Sequence, residues 1–393
     1  MPALRVFAPG RLGRLRLGNR VIKAATYEGM SPGGIPSDAL LGFHRDLAAG
    51  GVAMTTVAYC AVSPAGRTFA DQMTMREEIV PALRRLTDAV HAEGAAASIQ
   101  LGHCGFFSKS RERGGRGPRG PSFTLNTYGL SAGMPFARAM TEDDIDRVIE
   151  DFGEAAARAV RAGFDAVELH LGHGYLLSQF ISPATNRRRD RWGGSLDNRM
   201  RLPVAVLGRV RERVGPECAV LAKTNLSDGF RGGLELAEAI GVAERLEAAG
   251  VDAIVLSGGF TSRSPFYLFR GPAPLRSMIE VEKSRLARLV LRLAGPSFIR
   301  SYPFEEMFFL PEAREVRRAV RVPLVLLGGI LSLANMERAM DEGFDFVAMG
   351  RALIADPDLV QRMRRGDMAR SRCISCNECV AEMDRGGVRC VLG

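Results

Sequence analysis

The chain has no hydrophobic run that approaches the length of a membrane span. Its N-terminus, MPALRVFAPGRLGRLRLGNR, carries charges but no apolar stretch of signal-peptide length. No candidate strand is followed by GxGxxG, so the fingerprint of a doubly wound dinucleotide fold is missing. Lysine is scarce. Lys23, Lys109, Lys223 and Lys283 are the only ones, so the net charge of +9 is nearly all arginine. Those arginines are spread along the chain, and no basic run suits a nucleic-acid groove. The charge reads as solvated surface with a preference for anionic ligands. Seven cysteines, an odd number, do not make a secreted disulfide framework. Together these absences make the cytoplasm the expected compartment, with no nucleic-acid partner and no stable membrane insertion; a small-molecule partner is expected. A homo-oligomer is compatible with all of them.

What is present is 393 residues with 46% hydrophobic content, enough for a large core. After a short lead-in hairpin, apolar β-branched runs alternate with helical periodicity. The expected strands are 21–25, 52–58, 95–101, 164–170, 218–224, 251–258, 322–329 and 344–350. Most are continuously apolar, as parallel strands buried on both faces should be. Helical segments 71–94, 141–163, 234–250 and 332–343 each end in glycine just before the next strand. Thr141 with Asp144 has the pattern of a helix N-cap. Eight such units predict an α/β fold of (β/α)8 TIM-barrel type. Long loops follow strand three (102–140) and strand six (259–311), on the face where barrel enzymes work. The stretch 281–293, VEKSRLARLVLRL, is expected as a basic amphipathic helix packed on the barrel, with contact to a membrane surface as the alternative.

Two of the five histidines, His170 and His173, stand three residues apart at the end of strand four, with Gly174 and Tyr175 directly after. Two imidazoles so placed can bind a metal or hydrogen-bond one substrate oxygen. A pair of structural histidines is the plainer alternative. Strands seven and eight end in Gly328-Gly329 and Gly350-Arg351, where barrels build phosphate sites. Gln100 on strand three and Lys223 on strand five are an amide and a cation suited to the pyrimidine edge of a flavin. Arg111, Arg113, Arg116 and Arg119 are read as loop charge, with a substrate phosphate as the alternative.

The segment ELHLGHGYLLSQFISPATNRRRDRWGGSLDNR resembles the histidine–glycine–tyrosine region of the old yellow enzyme family of FMN oxidoreductases. LGNRVIKAATYEGM, SIQLGHCG, LLGGI and FVAMGRALIADP are similar to its other motifs, and the likeness runs over almost the whole chain. The resemblance implies FMN at the C-terminal mouth of the barrel, with NADH or NADPH as reductant. It places Ala25, Thr26 and Tyr27 against the flavin and Gln100 and Lys223 at its pyrimidine edge. Gly329, Gly350 and Arg351 fall at its phosphate. His170 and His173 would hold the substrate oxygen, and Tyr175 would donate the proton. The implied activity is reduction of the activated C=C bond of an α,β-unsaturated carbonyl compound. An amine demethylase of the trimethylamine dehydrogenase type is the alternative. Lys223 stands where many members have arginine, and Tyr27 where cysteine, threonine or histidine is usual.

The C-terminal piece CISCNECVAEMDRGGVRC is similar to the cluster motif of trimethylamine dehydrogenase and 2,4-dienoyl-CoA reductase, with a shorter last gap. Cys373, Cys376, Cys379 and Cys390 suit a [4Fe–4S] cluster or zinc, or stay reduced thiols. The expected division is an FMN-binding barrel over residues 1–365 and a cysteine-containing tail over 366–393.

Overall fold

The computed structural model describes residues 4–111 and 117–392. A hairpin of β1 (Gly10–Leu12) and β2 (Leu15–Leu17) leads into β3 (Val21–Lys23), β4 (Met54–Ala61) and β5 (Ala96–Gly102). Three short strands, β6 (Arg119–Gly120), β7 (Thr124–Leu125) and β8 (Phe136–Ala139), form a small sheet in the loop that follows. Then come β9 (Ala166–Leu171), β10 (Ala219–Asn225), β11 (Ala253–Ser257), β12 (Leu324–Leu327) and β13 (Phe346–Met349). Strands β3, β4, β5, β9, β10, β11, β12 and β13 pair in that order, all parallel, and β13 closes on β3. The eight expected strands are the eight staves of this barrel.

Alternation divides the core in two. Ile22, Met54, Ala166, Leu221, Val255 and Val325 face inward, and the hairpin residues Leu12 and Leu17 plug the lower end against them. The opposite faces of the same strands pack on the helices. Register sets the upper layers: Gln100 pairs with Glu168, and His170 with Lys223.

Three of the four expected helices have the expected starts. The helix Glu142–Arg161 begins at Thr141, whose hydroxyl accepts from Asp144 N while Asp144 returns the bond, a full capping box. Gly94, Gly163, Gly250 and Gly343 have φ of 78°, 88°, 82° and 84°, the left-handed turn that glycine adopts at least cost. The segment 71–94 departs from its expectation. Its first half is loop and a short 3-10 turn, and the helix runs Val80–Ala92. Pro81 explains this start, because proline is accommodated in the first turn and not inside.

The basic amphipathic stretch also differs. It breaks at Glu282–Ser284, where the Glu282 carboxylate accepts from Ser284 N at 2.8 Å, and the helix runs Arg285–Phe298. It packs on the short helix Leu275–Val281 and leaves Leu289, Val290 and Leu293 exposed. Among the described residues, no helix is long and apolar enough to cross a membrane.

The last segment lies over the mouth of the barrel. Ser371 N donates to Leu331 O at 2.8 Å, Asn377 Nδ2 to Arg270 O at 2.8 Å, and Val388 N to Glu28 O at 2.7 Å. Residues 366–392 thus touch the loops after β3, β11 and β12.

Candidate active site at the barrel mouth

The histidine pair is shaped by a tight exit from β9. His173 sits at φ 57°, a conformation few non-glycine residues adopt, and Gly174 follows at φ 77°. A Cβ on Gly174 would lie 2.4 Å from the Phe260 ring, so only glycine fits the turn. Asn225 at the end of β10 holds it: its Oδ1 accepts from His173 N at 3.1 Å. Asn225 Nδ2 in turn donates to Asp228 Oδ1 at 2.9 Å and Gly259 O at 2.8 Å. The turn brings the His170 and His173 ring centres to 5.0 Å and sets Tyr175 4.5 Å from His170.

The two imidazoles are not equivalent. His173 Nε2 meets Ser257 Oγ at 2.7 Å. His170 Nδ1 is buried and has no hydrogen-bond partner, which is costly unless a ligand supplies one. Burial is the first cause that holds both rings neutral. His173 is lowered to about 3 by burial and then by Lys223. His170 is lowered well below its ordinary value by burial, His173 and Lys223. Neutral rings each carry one N–H to offer an oxygen. Burial raises the Tyr175 phenol as well, so its hydroxyl keeps its proton. Tyr59 packs 4.8 Å from Tyr175, and Phe107 meets it edge-on at 6.1 Å.

One layer beneath, Glu168 Oε1 accepts from Lys223 Nζ at 2.8 Å and from Gln100 Nε2 at 2.7 Å. All three are buried. Sequence reading found Gln100 and Lys223 and missed Glu168, Ser257 and Asn225. The signal for Glu168 was available, since it alternates with Ala166 and His170 on β9 and so shares their inward face.

The other expected flavin contacts ring the same mouth. Ala25 packs on the Ala58–Tyr59–Ala61 cluster that also receives Tyr175. Tyr27 packs edge-on to Phe69 at 5.0 Å. Gly328 and Gly329 follow β12 at φ 105° and 72°. A Cβ on Gly350 would touch Thr26 Cγ2 at 3.3 Å, and Thr26 Oγ1 is buried without a partner. An orphaned hydroxyl beside a glycine cradle, and an amide and a cation at the strand ends, fit the flavin that the resemblance implies.

Arg351 is the departure. Its Nη1 donates to Asn377 Oδ1 at 2.6 Å and Arg270 O at 3.3 Å, and its Nη2 donates to Phe269 O. The guanidinium ties the tail to the loop after β11 and does not stand open to a phosphate. Arg119 is paired with Asp144 at 2.6 Å, and Arg111 Nε donates to Ala132 O at 2.9 Å, which leaves both on the loop. Arg113 and Arg116 lie outside the described residues.

Cys373, Cys376, Cys379 and Cys390 line one small pocket together with Arg351 and Asn377. Burial pushes Cys379 up to about 12 and Cys373 in the same direction. Among the described residues, no group of three or more His, Cys, Asp or Glu side chains stands close enough to hold a metal ion. The four thiols share a pocket without converging on a point.

Comparison with known proteins agrees with the geometry. The profile of the NADH:flavin oxidoreductase / NADH oxidase family matches residues 5–260. The chain is 46% identical to a 4,4'-dithiodibutanoate disulfide reductase of Rhodococcus erythropolis, over 100% of this chain and 96% of that one. It is 31% identical to a multifunctional alkene reductase/demethylase of Caballeronia cordobensis, over 94% of this chain and 50% of the other. Three further relatives are likewise spanned over only 51%, 52% and 53% of their length. A morphinone reductase structure superposes with a TM-score of 0.72 at 26% identity, over 94% of this chain and 93% of that one. The chain therefore belongs to the NADH:flavin oxidoreductase / NADH oxidase family and is an FMN-dependent NAD(P)H oxidoreductase.

Proposed function

We propose that the protein reduces the activated C=C bond of an α,β-unsaturated carbonyl compound. The observation that carries this reading is the buried, unpartnered Nδ1 of His170 beside His173 and Tyr175. Bound FMN would supply the hydride chemistry between NAD(P)H and the β-carbon. Ala25, Thr26, Tyr27, Gln100, Lys223, Gly328, Gly329 and Gly350 would hold it, with Arg351 contributing its backbone end.

The chain's own part is to polarise and protonate. Neutral His170 and His173 donate hydrogen bonds to the substrate carbonyl, which draws electron density from the β-carbon. Because neither ring is charged, the carbonyl is polarised and not protonated by them. The enolate left after hydride delivery takes its proton at the α-carbon from the Tyr175 hydroxyl. One hydride and one proton enter, and the C=C bond becomes C–C. Anaerobic mixing of the reduced, FMN-loaded protein with cyclohexenone tests this. Reoxidation is expected, and a flavin that stays reduced overturns it.

A second reading is reduction of an organic disulfide. It is favoured by the 46% relative, which spans the full chain. Hydride and proton balance equally there, giving two thiols from one disulfide. Adding 4,4'-dithiodibutanoate to the same experiment separates the two acceptors. An amine that bleaches the oxidised flavin would instead favour the demethylase alternative. Elemental analysis of anaerobically prepared protein tests the tail: iron or zinc near one site per chain supports metal on the four cysteines, and neither leaves reduced thiols.

A further inference from the structure

Glu168 is a buried ionisable group inside the barrel that the proposed chemistry does not use. It is 3% exposed, and a carboxylate so enclosed is expensive unless it is paired. Its Oε1 alone receives both Lys223 Nζ at 2.8 Å and Gln100 Nε2 at 2.7 Å. Two consequences follow. The Lys223 charge is compensated at contact distance. The Gln100 amide is also oriented, because committing Nε2 to Glu168 decides which way its carbonyl oxygen faces.

We propose that Glu168 is a positioning residue that tunes the flavin from below, by setting the net charge of Lys223 and the amide orientation of Gln100. The inference rests on the reading that Lys223 and Gln100 meet the pyrimidine edge of FMN. A bare cation there favours the anionic reduced cofactor. A cation shared with a carboxylate favours it less. Glu168 thus keeps the flavin a stronger reductant than Lys223 alone would make it, which suits hydride transfer to weak acceptors. The register is the device: β9 presents His170 to the substrate and, two residues earlier, Glu168 to the groups that hold the cofactor.

The test is potentiometry of the FMN-loaded protein. Glu168→Gln keeps the shape and, with its carbonyl in the place of Oε1, an acceptor for both Lys223 and Gln100, and removes the charge. Its midpoint potential is expected to rise. The expected change in the ratio of reduced to oxidised flavin binding is about tenfold, the scale of one charge about 12 Å away at an effective dielectric of about 20. For two electrons that is about 30 mV. In a Lys223→Met background the same substitution should still raise the potential, because the field of the carboxylate reaches the flavin whether or not the lysine stands beside it. A purely structural role predicts weaker FMN retention in both backgrounds and no change of potential, which would overturn the proposal. Should Glu168→Gln fail to fold, Glu168→Asp withdraws the carboxylate from both partners by one methylene. It should give a smaller rise, and an unchanged potential in a folded variant would be equally fatal. The two readings fail separately. If Lys223→Met itself changes neither potential nor FMN affinity, the pocket assignment is wrong. If it changes them and Glu168→Gln does not, only the role of Glu168 is wrong.

Discussion

The barrel wall separates two buried lysine–glutamate pairs of nearly equal length. Inside, Lys223 and Glu168 meet at 2.8 Å, and outside, beneath the helix Asp38–Ala49, Lys23 and Glu28 meet at 2.9 Å. Their surroundings differ. Glu28 Oε1 also lies 3.4 Å from His44 Nε2 and accepts from Ala58 N at 3.3 Å, while His44 Nδ1 meets Thr55 Oγ1 at 2.7 Å. That outer group is sealed between a strand and a helix, and the one ring nitrogen it leaves without a hydrogen bond, His44 Nε2, faces the Glu28 carboxylate. The inner pair sits under the unpartnered His170 Nδ1, at the end of the barrel where the sequence turns to glycine and aromatics. The same ion pair can therefore brace a fold or prepare a site, and what decides is whether the polar atom left beside it faces the pair's own carboxylate, as His44 Nε2 does, or the barrel mouth.

Breaking the contrast from the inside should have the largest effect. General-acid help is worth about 10²–10⁴-fold. Tyr175→Phe is therefore expected to slow reoxidation by cyclohexenone by that much and leave reduction by NADPH near normal. Stopped-flow traces of both half-reactions decide it. If both slow together, Tyr175 only packs against its neighbours. A nitro-alkene, whose nitronate is stable without a proton, should be spared.

Breaking it from the outside should cost stability. Glu28→Leu leaves Lys23 buried and unpaired, and losses of about 3–5 kcal/mol are usual for half of a buried ion pair. Denaturant unfolding reads this directly. A loss below about 1 kcal/mol would show that the outer pair braces nothing.

Smaller effects sharpen the comparison. His170→Ala should weaken a phenol that reports on the oxygen site by roughly 1.5–3 kcal/mol, the scale of a buried hydrogen bond lost. An unchanged phenol titration removes His170 from the clamp. Acid should then separate binding from stability. His170, His173 and His44 are all held below their ordinary value in the fold, chiefly by burial. The unfolded chain therefore binds more protons below about pH 6.5. Stability should fall as pH drops from about 6.5 toward 5, by up to about 1.4 kcal/mol per unit for each such histidine. The phenol affinity of the folded protein should stay flat over that window. A break in affinity near pH 6.5 would mean the site histidines are charged where we have them neutral.

Much of this could be read before folding. Eight apolar runs separated by glycine-terminated helices dictate the barrel, because each run needs burial on both faces and each glycine permits the left-handed turn into the next strand. His170, His173 and Tyr175 were legible because they fall within six residues on one strand end. Residues that act from different strands were not. Glu168 reads as one more charge until β5, β9 and β10 bring Gln100 and Lys223 to the same oxygen. Arg351 reads as an anion fork until the tail folds over it and Asn377 takes the guanidinium. The helix 285–298 has the periodicity of a packed helix, yet periodicity carries no information about whether a partner lies on its apolar side. Local pattern determined the elements and the placement of His170, His173 and Tyr175 on one strand end. Only the tertiary structure decided charge pairing, since an ion pair depends on distances between atoms that the chain order leaves open.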